Sequence, residues 1–163
     1  MDTASLDQKF NLLFRSKVST SAFRCSAHNI VFVLLVDANQ IPKLSIWQMV
    51  NAETCRMWER SLSLDVVAEH FKTGGMDFDH SAEGFEEIGD IFRKGYQISN
   101  LSNILVDPTT NALSFKLSYV AGYTGEFKLS DHKDIGIEAW TTILALTQML
   151  EASPNPLKRS LES

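Results

Sequence analysis

Two neighbouring segments of alternating apolar and polar residues constrain the fold of this chain more than any other feature. Residues 113–119 place an apolar side chain at every second position, and residues 123–129 repeat that period of two. Such alternation is typical of strands with one buried face. Because only a short stretch containing Ala121–Gly122 separates the two segments, the sequence predicts an antiparallel β-hairpin, preceded by a further strand at residues 104–106.

The first third of the chain predicts a meander of four strands. Residues 10–14 and 23–27 each show a period of two. Residues 30–36 are apolar at every position and rich in β-branched side chains, which indicates a central strand covered on both faces. Turn residues follow, and the alternation resumes over residues 44–50.

The period then changes to that of a helix. Asn51 is a residue type found at helix N-caps, and Cys55, Trp58 and Leu62 follow at spacings that share one helical face. The sequence therefore predicts that a helical insert, spanning residues 51–95, begins here.

Two further helices complete the predicted insert. One covers residues 65–73 and is closed by Gly74–Gly75. The other is capped by Ser81 and stopped by Gly95, with glutamates near its N-terminal end and basic residues near its C-terminal end.

A long helix is predicted over residues 134–152. Its apolar stripe consists of Trp140, Ile143, Leu144, Thr147 and Leu150. Further apolar residues lie off that stripe at Ile137, Leu146 and Met149, so the helix has two surfaces to bury. One surface is expected to pack on a sheet of its own domain, and the other on a second copy of the chain.

These elements together predict an α+β fold. An antiparallel β-sandwich-like head covers residues 1–133 and carries the helical insert between strands four and five. The C-terminal helix follows at residues 134–152, and a flexible tail follows at 153–163, where Pro154 and Pro156 end the helix.

Composition limits the function classes. With 15 basic and 20 acidic residues the 163-residue chain has a formal charge of −5, which argues against binding nucleic acid by broad phosphate neutralisation. Two cysteines are too few for a disulfide framework and favour a reducing compartment. The longest apolar run is far shorter than a membrane span, and no leader or anchor is recognisable, so we expect no membrane association.

Motifs of catalysis are absent from the sequence. It contains no phosphate-binding loop, no G-x-G-x-x-G, no H-E-x-x-H and no G-x-S-x-G. His70, Asp77, Asp79 and His80 fall within eleven residues, a set of residue types that can hold a metal, although a solvated loop is the favoured interpretation. The sequence therefore predicts no catalytic residues, no metal and no cofactor, with a small α+β enzyme or ligand-binding domain kept as an alternative.

The order of elements resembles the head domain of one superfamily over residues 8–152. The passages that carry the resemblance are FVLLVDANQIPKLSIWQMVNAETCRMW (residues 32–58) and ALSFKLSYVAGYTGEFKLSD (residues 112–131). This superfamily contains the ligase IV cofactor of non-homologous end joining, its relatives XLF and PAXX, and centriolar cartwheel and basal-body coiled-coil proteins.

The resemblance implies that the chain is not an enzyme but an assembly module. In that superfamily the C-terminal helix joins two chains into a homodimer, and an apolar residue at the tip of the hairpin inserts into a neighbouring head. The matching position here is Tyr123, which follows Gly122, with Val120 as the alternative.

The resemblance also implies a cellular process. The expected function is that of a nuclear scaffold in DNA double-strand break repair by non-homologous end joining, with Ku and the ligase IV complex as partners and with indirect or weak contact to DNA. The alternative within the same fold is a centriole or basal-body assembly factor in the cytoplasm or at the centrosome.

Overall fold

The structure of the chain, a computed structural model, describes residues 3–152. Over these residues the chain forms four α-helices and eight strands. In chain order they are α1 (Thr3–Arg15), β1 (Ser21–Cys25), β2 (Ile30–Leu35), β3 (Lys43–Met49), β4 (Thr54–Ser61), α2 (Leu64–Lys72), α3 (Ala82–Gly95), β5 (Leu101–Val106), β6 (Leu113–Ser118), β7 (Thr124–Leu129), β8 (His132–Gly136) and α4 (Ile137–Ala152).

Two antiparallel sheets make up the β-structure. The first has five strands in the order β1-β2-β3-β4-β8, and the second has three in the order β5-β6-β7. Phe32 of β2 meets Phe115 of β6 edge to face, with 5.1 Å between ring centroids, so the inner faces of the two sheets pack on each other. The predicted α+β, sandwich-like head is confirmed, as is a helical insert between the fourth and fifth strands.

An aromatic core fills the space between the sheets and the first three helices. Its fully buried phenylalanines are Phe10, Phe14, Phe32, Phe71, Phe85, Phe92 and Phe115. The indole of Trp58 joins them and donates its N–H to the carbonyl oxygen of Asn111, 3.0 Å away. Close packing of rings at this density makes the core sensitive to any change of side-chain volume.

A second, smaller core lies on the opposite face of the five-stranded sheet. There α4 places Trp140 against Val31, Val33 and Cys55. Strand β2 is therefore covered on both faces, and residues 30–34 are all buried. This confirms the central strand predicted from the unbroken apolar run.

Residues 10–14 form part of helix α1 and not the predicted strand. Phe10 and Phe14 lie four residues apart on one helical face, and their rings stack with 5.0 Å between centroids. Leu12, which also fits the alternation, points outward and is 59% exposed. Phe10, Leu12 and Phe14 are all apolar, but only the two that lie four residues apart are buried, as in a helix.

Residues 54–61 form strand β4 and not the helix predicted to follow Asn51. The Asn51 side chain accepts hydrogen bonds from the backbone N–H groups of Glu53 and Thr54, so it stabilises a turn into the strand. Cys55 belongs to the α4-side core and Trp58 to the inter-sheet core, which places them on opposite faces of β4. The helical insert therefore begins at α2 and not at residue 51.

The other helices of the insert are confirmed. Ser63 caps α2 by accepting from the N–H of Val66, and Ser81 caps α3 by accepting from the N–H of Gly84. Residues His132–Gly136 form strand β8, which pairs with β4. The C-terminal helix therefore begins at Ile137 and not at residue 134.

The predicted tail at 153–163, with Pro154 and Pro156, lies outside the described residues. In the part of the chain that the structure describes, no helix combines the length and the apolar character needed to cross a membrane.

Candidate functional site

The hairpin between β6 and β7 ends in a compact turn, which we call the hairpin tip (residues 119–123). The N–H of Tyr119 donates to the carbonyl oxygen of Tyr123 at 2.7 Å and closes the turn. Ala121 and Gly122 both have positive φ, at 62° and 81°, a conformation that costs glycine little but is unfavourable for alanine. The tip is thus a defined structure with a backbone hydrogen bond across its base.

Two large apolar side chains stand out from this tip. Val120 is 63% exposed and Tyr123 is 43% exposed. Tyr119, at the other end of the turn, is buried. The structure therefore brings together the two residues that the sequence predicts for partner binding and presents both to solvent at one projecting end of the sheet.

Behind the tip lies a buried polar pair, His70 of α2 and Tyr119. The carbonyl oxygen of Glu126 can only accept, so the His70 Nδ1–H donates to it at 3.0 Å. The hydroxyl of Tyr119 then donates to the free Nε2 at 2.5 Å. Burial lowers the pKa of His70 to about 4 and raises that of Tyr119 well above its usual value, so both groups are neutral at pH 7.

Helix α2 also takes the place of a further strand beside β7. The N–H of Glu126 donates to the hydroxyl of Thr73, the C-cap residue of α2, at 2.9 Å, so both backbone polar groups of Glu126 are bonded to side chains of α2 and its cap. The His70 ring stacks on Phe127 with 3.9 Å between centroids. A Cβ at Gly125 would overlap that ring, so this position requires glycine. The edge of β7 is therefore closed to strand pairing at this point.

The His70–His80 segment does not converge on a metal site. His70 is 2% exposed and both of its ring nitrogens are engaged, while Asp77, Asp79 and His80 are exposed. Among the described residues, no group of three or more His, Cys, Asp or Glu side chains is placed to hold a metal ion. Sequence reasoning missed the internal role of His70, although its spacing three residues after Val67 places it on the buried face of α2.

A cleft of about 260 Å³ opens beside this histidine. It is lined by charged side chains of both signs, among them Arg60, Glu69, Glu126 and Lys128. Because the His70 nitrogens are already hydrogen-bonded, this ring has no lone pair left to act as a base toward a molecule in the cleft.

The predicted dimerisation residues lie on two faces of α4, one that packs on the sheet and one that is exposed to solvent. Trp140 and Thr147 are buried, and Ile143 and Leu144 pack partly buried beside Trp140 on the five-stranded sheet. Only Leu150 of the predicted stripe is exposed, at 41%. Leu146 and Met149, which the sequence placed off the stripe, are exposed beside it. Trp140, Ile143 and Leu144 therefore pack on the chain's own sheet, because β1, β2 and β3 present an apolar outer face, and Thr147 is buried as well.

No family model, no curated protein and no solved structure matches this chain.

Proposed function

We propose that this chain is a non-catalytic assembly protein that binds a protein partner through Val120 and Tyr123 of the hairpin tip. The observation that carries the proposal is the exposure of both side chains on a turn whose backbone is fixed by hydrogen bonding. Aromatic side chains presented in this way are the residues that dominate the binding energy of protein interfaces. Because the tip is already ordered, binding costs little conformational entropy.

We further propose that the process is DNA double-strand break repair by non-homologous end joining, in the nucleus, with Ku and the ligase IV complex as partners. The support for this is the order of elements after α1, in which four strands are followed by two helices, four further strands and a helix, together with the resemblance described above. The formal charge of −5 supports contact with DNA through partners. Several weak contacts of this kind raise the effective concentration of DNA ends and ligase.

Self-association is the second part of the proposal. The exposed apolar side chains of α4, Leu146, Met149 and Leu150, form the surface that would meet a second copy. A homodimer would present two hairpin tips, and two tips can bridge two partners.

Affinity purification of the tagged full chain from its native cells tests the proposal. We expect the wild-type chain to recover Ku and ligase IV, and Tyr123→Ala to lose them, with an affinity reduced about 30-fold if the side chain contributes about 2 kcal/mol. The matched control is Leu105→Ala, which truncates another apolar side chain that is 62% exposed, on β5, and should retain the partners.

Three results would count against the proposal. Recovery of centriolar or basal-body proteins in place of Ku and ligase IV would contradict the end-joining assignment. Full recovery with Tyr123→Ala would contradict the role of the hairpin tip. A fall of more than a few degrees in the thermal midpoint of Tyr123→Ala would identify Tyr123 as a core residue.

A further inference from the structure

We propose that the buried hydrogen bond between Tyr119 and His70 is a clamp that sets the orientation of the hairpin tip, which makes these two side chains positioning residues for Tyr123. The inference rests on the proposed function of the hairpin tip as the partner-binding site. It assigns to helix α2, which does not belong to the hairpin, control over how the tip is presented.

The first step of the argument is the link between Tyr119 and Tyr123. These residues are the two ends of the turn, and the Tyr119 N–H donates to the Tyr123 carbonyl oxygen at 2.7 Å. The second contact within the turn, from the Tyr123 N–H to the Val120 carbonyl oxygen, is longer at 3.5 Å. Beyond the strand pair Ser118–Thr124, Tyr119 therefore provides the shorter of the two hydrogen bonds that position the Tyr123 backbone.

The second step is that the Tyr119 side chain is held from several sides. Its ring lies against Gly95 at the end of α3, where a Cβ would overlap it. The ring of Phe71 packs on it with 4.7 Å between centroids, and its hydroxyl donates to His70. Packing restricts the position of the ring, and the directional hydrogen bond adds a defined orientation.

The third step is that His70 is itself fixed to the other strand of the hairpin. Its Nδ1–H donates to Glu126 of β7, and its ring stacks on Phe127. One imidazole thus bonds both to the first residue of the tip, Tyr119, and to Glu126, which follows the tip on β7. A buried polar pair adds little net stability compared with well-packed apolar side chains, so the orientation it imposes is its distinctive contribution.

The chain provides a matched control in Tyr96. This tyrosine is 7% exposed, as Tyr119 is, and belongs to the same core. Its hydroxyl is buried without a hydrogen-bond partner in the described part of the chain. Replacing either tyrosine by phenylalanine removes one oxygen from the same core, but only at position 119 is a hydrogen bond lost.

Backbone hydrogen exchange on the full chain tests the clamp. We expect Tyr119→Phe to raise the exchange rate of the tip amides about five-fold or more, the effect of losing one hydrogen bond of ordinary strength, while the amides of β2 and β3 keep their wild-type rates. Tyr96→Phe should leave both regions unchanged. His70→Leu, which has no hydrogen-bonding group to accept from the Tyr119 hydroxyl, should reproduce the effect of Tyr119→Phe and serves as the second variant.

Partner binding is measured on the same variants, as recovery of Ku and ligase IV from nuclear extract. Lower recovery with Tyr119→Phe but not with Tyr96→Phe is the expected result. Unchanged exchange at the tip, exchange raised throughout the strands, or faster tip exchange with full recovery would each overturn the inference. If the wild-type chain recovers neither protein, the proposed function fails, while the exchange rates still decide whether the clamp exists.

Discussion

Acidification should destabilise this protein through one buried histidine. In the folded chain the pKa of His70 is about 4, because burial disfavours the imidazolium form, whereas the ordinary value is 6.5. The neutral ring is also the form that the hydrogen bonds require, since Nε2 must accept from Tyr119. Protonation of His70 would replace that acceptor with a second donor.

The direction and the size of the effect follow from proton linkage. Between pH 6.5 and about pH 4 the unfolded chain binds a proton at this residue and the folded chain does not. The contribution of His70 to the free energy of unfolding is therefore fully present above pH 6.5 and is lost as the pH falls toward 4. The loss reaches about 1.4 kcal/mol per pH unit, and the difference between the two pKa values corresponds to about 3 kcal/mol in total.

Urea unfolding of the wild-type chain and of His70→Gln between pH 7 and pH 4.5 measures this contribution. Carboxylates also titrate in this range, but they are common to both proteins, so the difference between the two stability curves reports His70. Below pH 6.5 we expect the free energy of unfolding to fall more steeply with decreasing pH for the wild-type chain than for His70→Gln. Parallel curves, or an imidazole of His70 that titrates near pH 6.5 by NMR in the folded protein, would refute the reasoning.

Three further substitutions test the packing. Trp140→Ala should lower the free energy of unfolding by about 3–5 kcal/mol, because its indole is only 4% exposed between α4 and the sheet. Leu150→Ala, at a side chain that is 41% exposed, should change it by less than about 1 kcal/mol. Equal losses in urea unfolding would contradict the docking of α4 on the sheet. Gly125→Ala should cost about 1–3 kcal/mol because its Cβ would overlap the His70 ring, and an unchanged thermal midpoint would show that the two elements are not in close contact.

The elements that the sequence predicts correctly are those whose signals are local. The hairpin of β6 and β7 follows from a period of two on both sides of Ala121–Gly122, and β2 follows from an unbroken apolar run. Helices α2 and α3 have a serine cap at one end and glycines close to the other. The period of two groups Tyr123 with the buried face of the hairpin, and only the resemblance assigned Val120 and Tyr123 to partner binding. Both side chains are exposed because β7 begins at Thr124, which leaves them in the turn.

The errors occur where one apolar pattern fits two structures. Phe10, Leu12 and Phe14 satisfy a period of two, yet the first and last also satisfy the i, i+4 spacing of the helix that forms. Cys55 and Trp58 satisfy a helical spacing, yet β4 buries both faces, so residues three apart in a strand are both inside. In each case the faces that the rest of the fold covers decide whether the segment is a helix or a strand, because the apolar pattern fits both.

The sequence by itself determined the local periods, the caps and the turn, and these set the order of most elements. Tertiary structure alone decided which surfaces those elements cover. It placed Trp140 on the chain's own sheet, left Leu146 and Met149 exposed, and enclosed His70 between α2 and the hairpin. The physical reason is that periodicity reports which side chains avoid water, while the partner that removes them from water comes from a distant part of the chain.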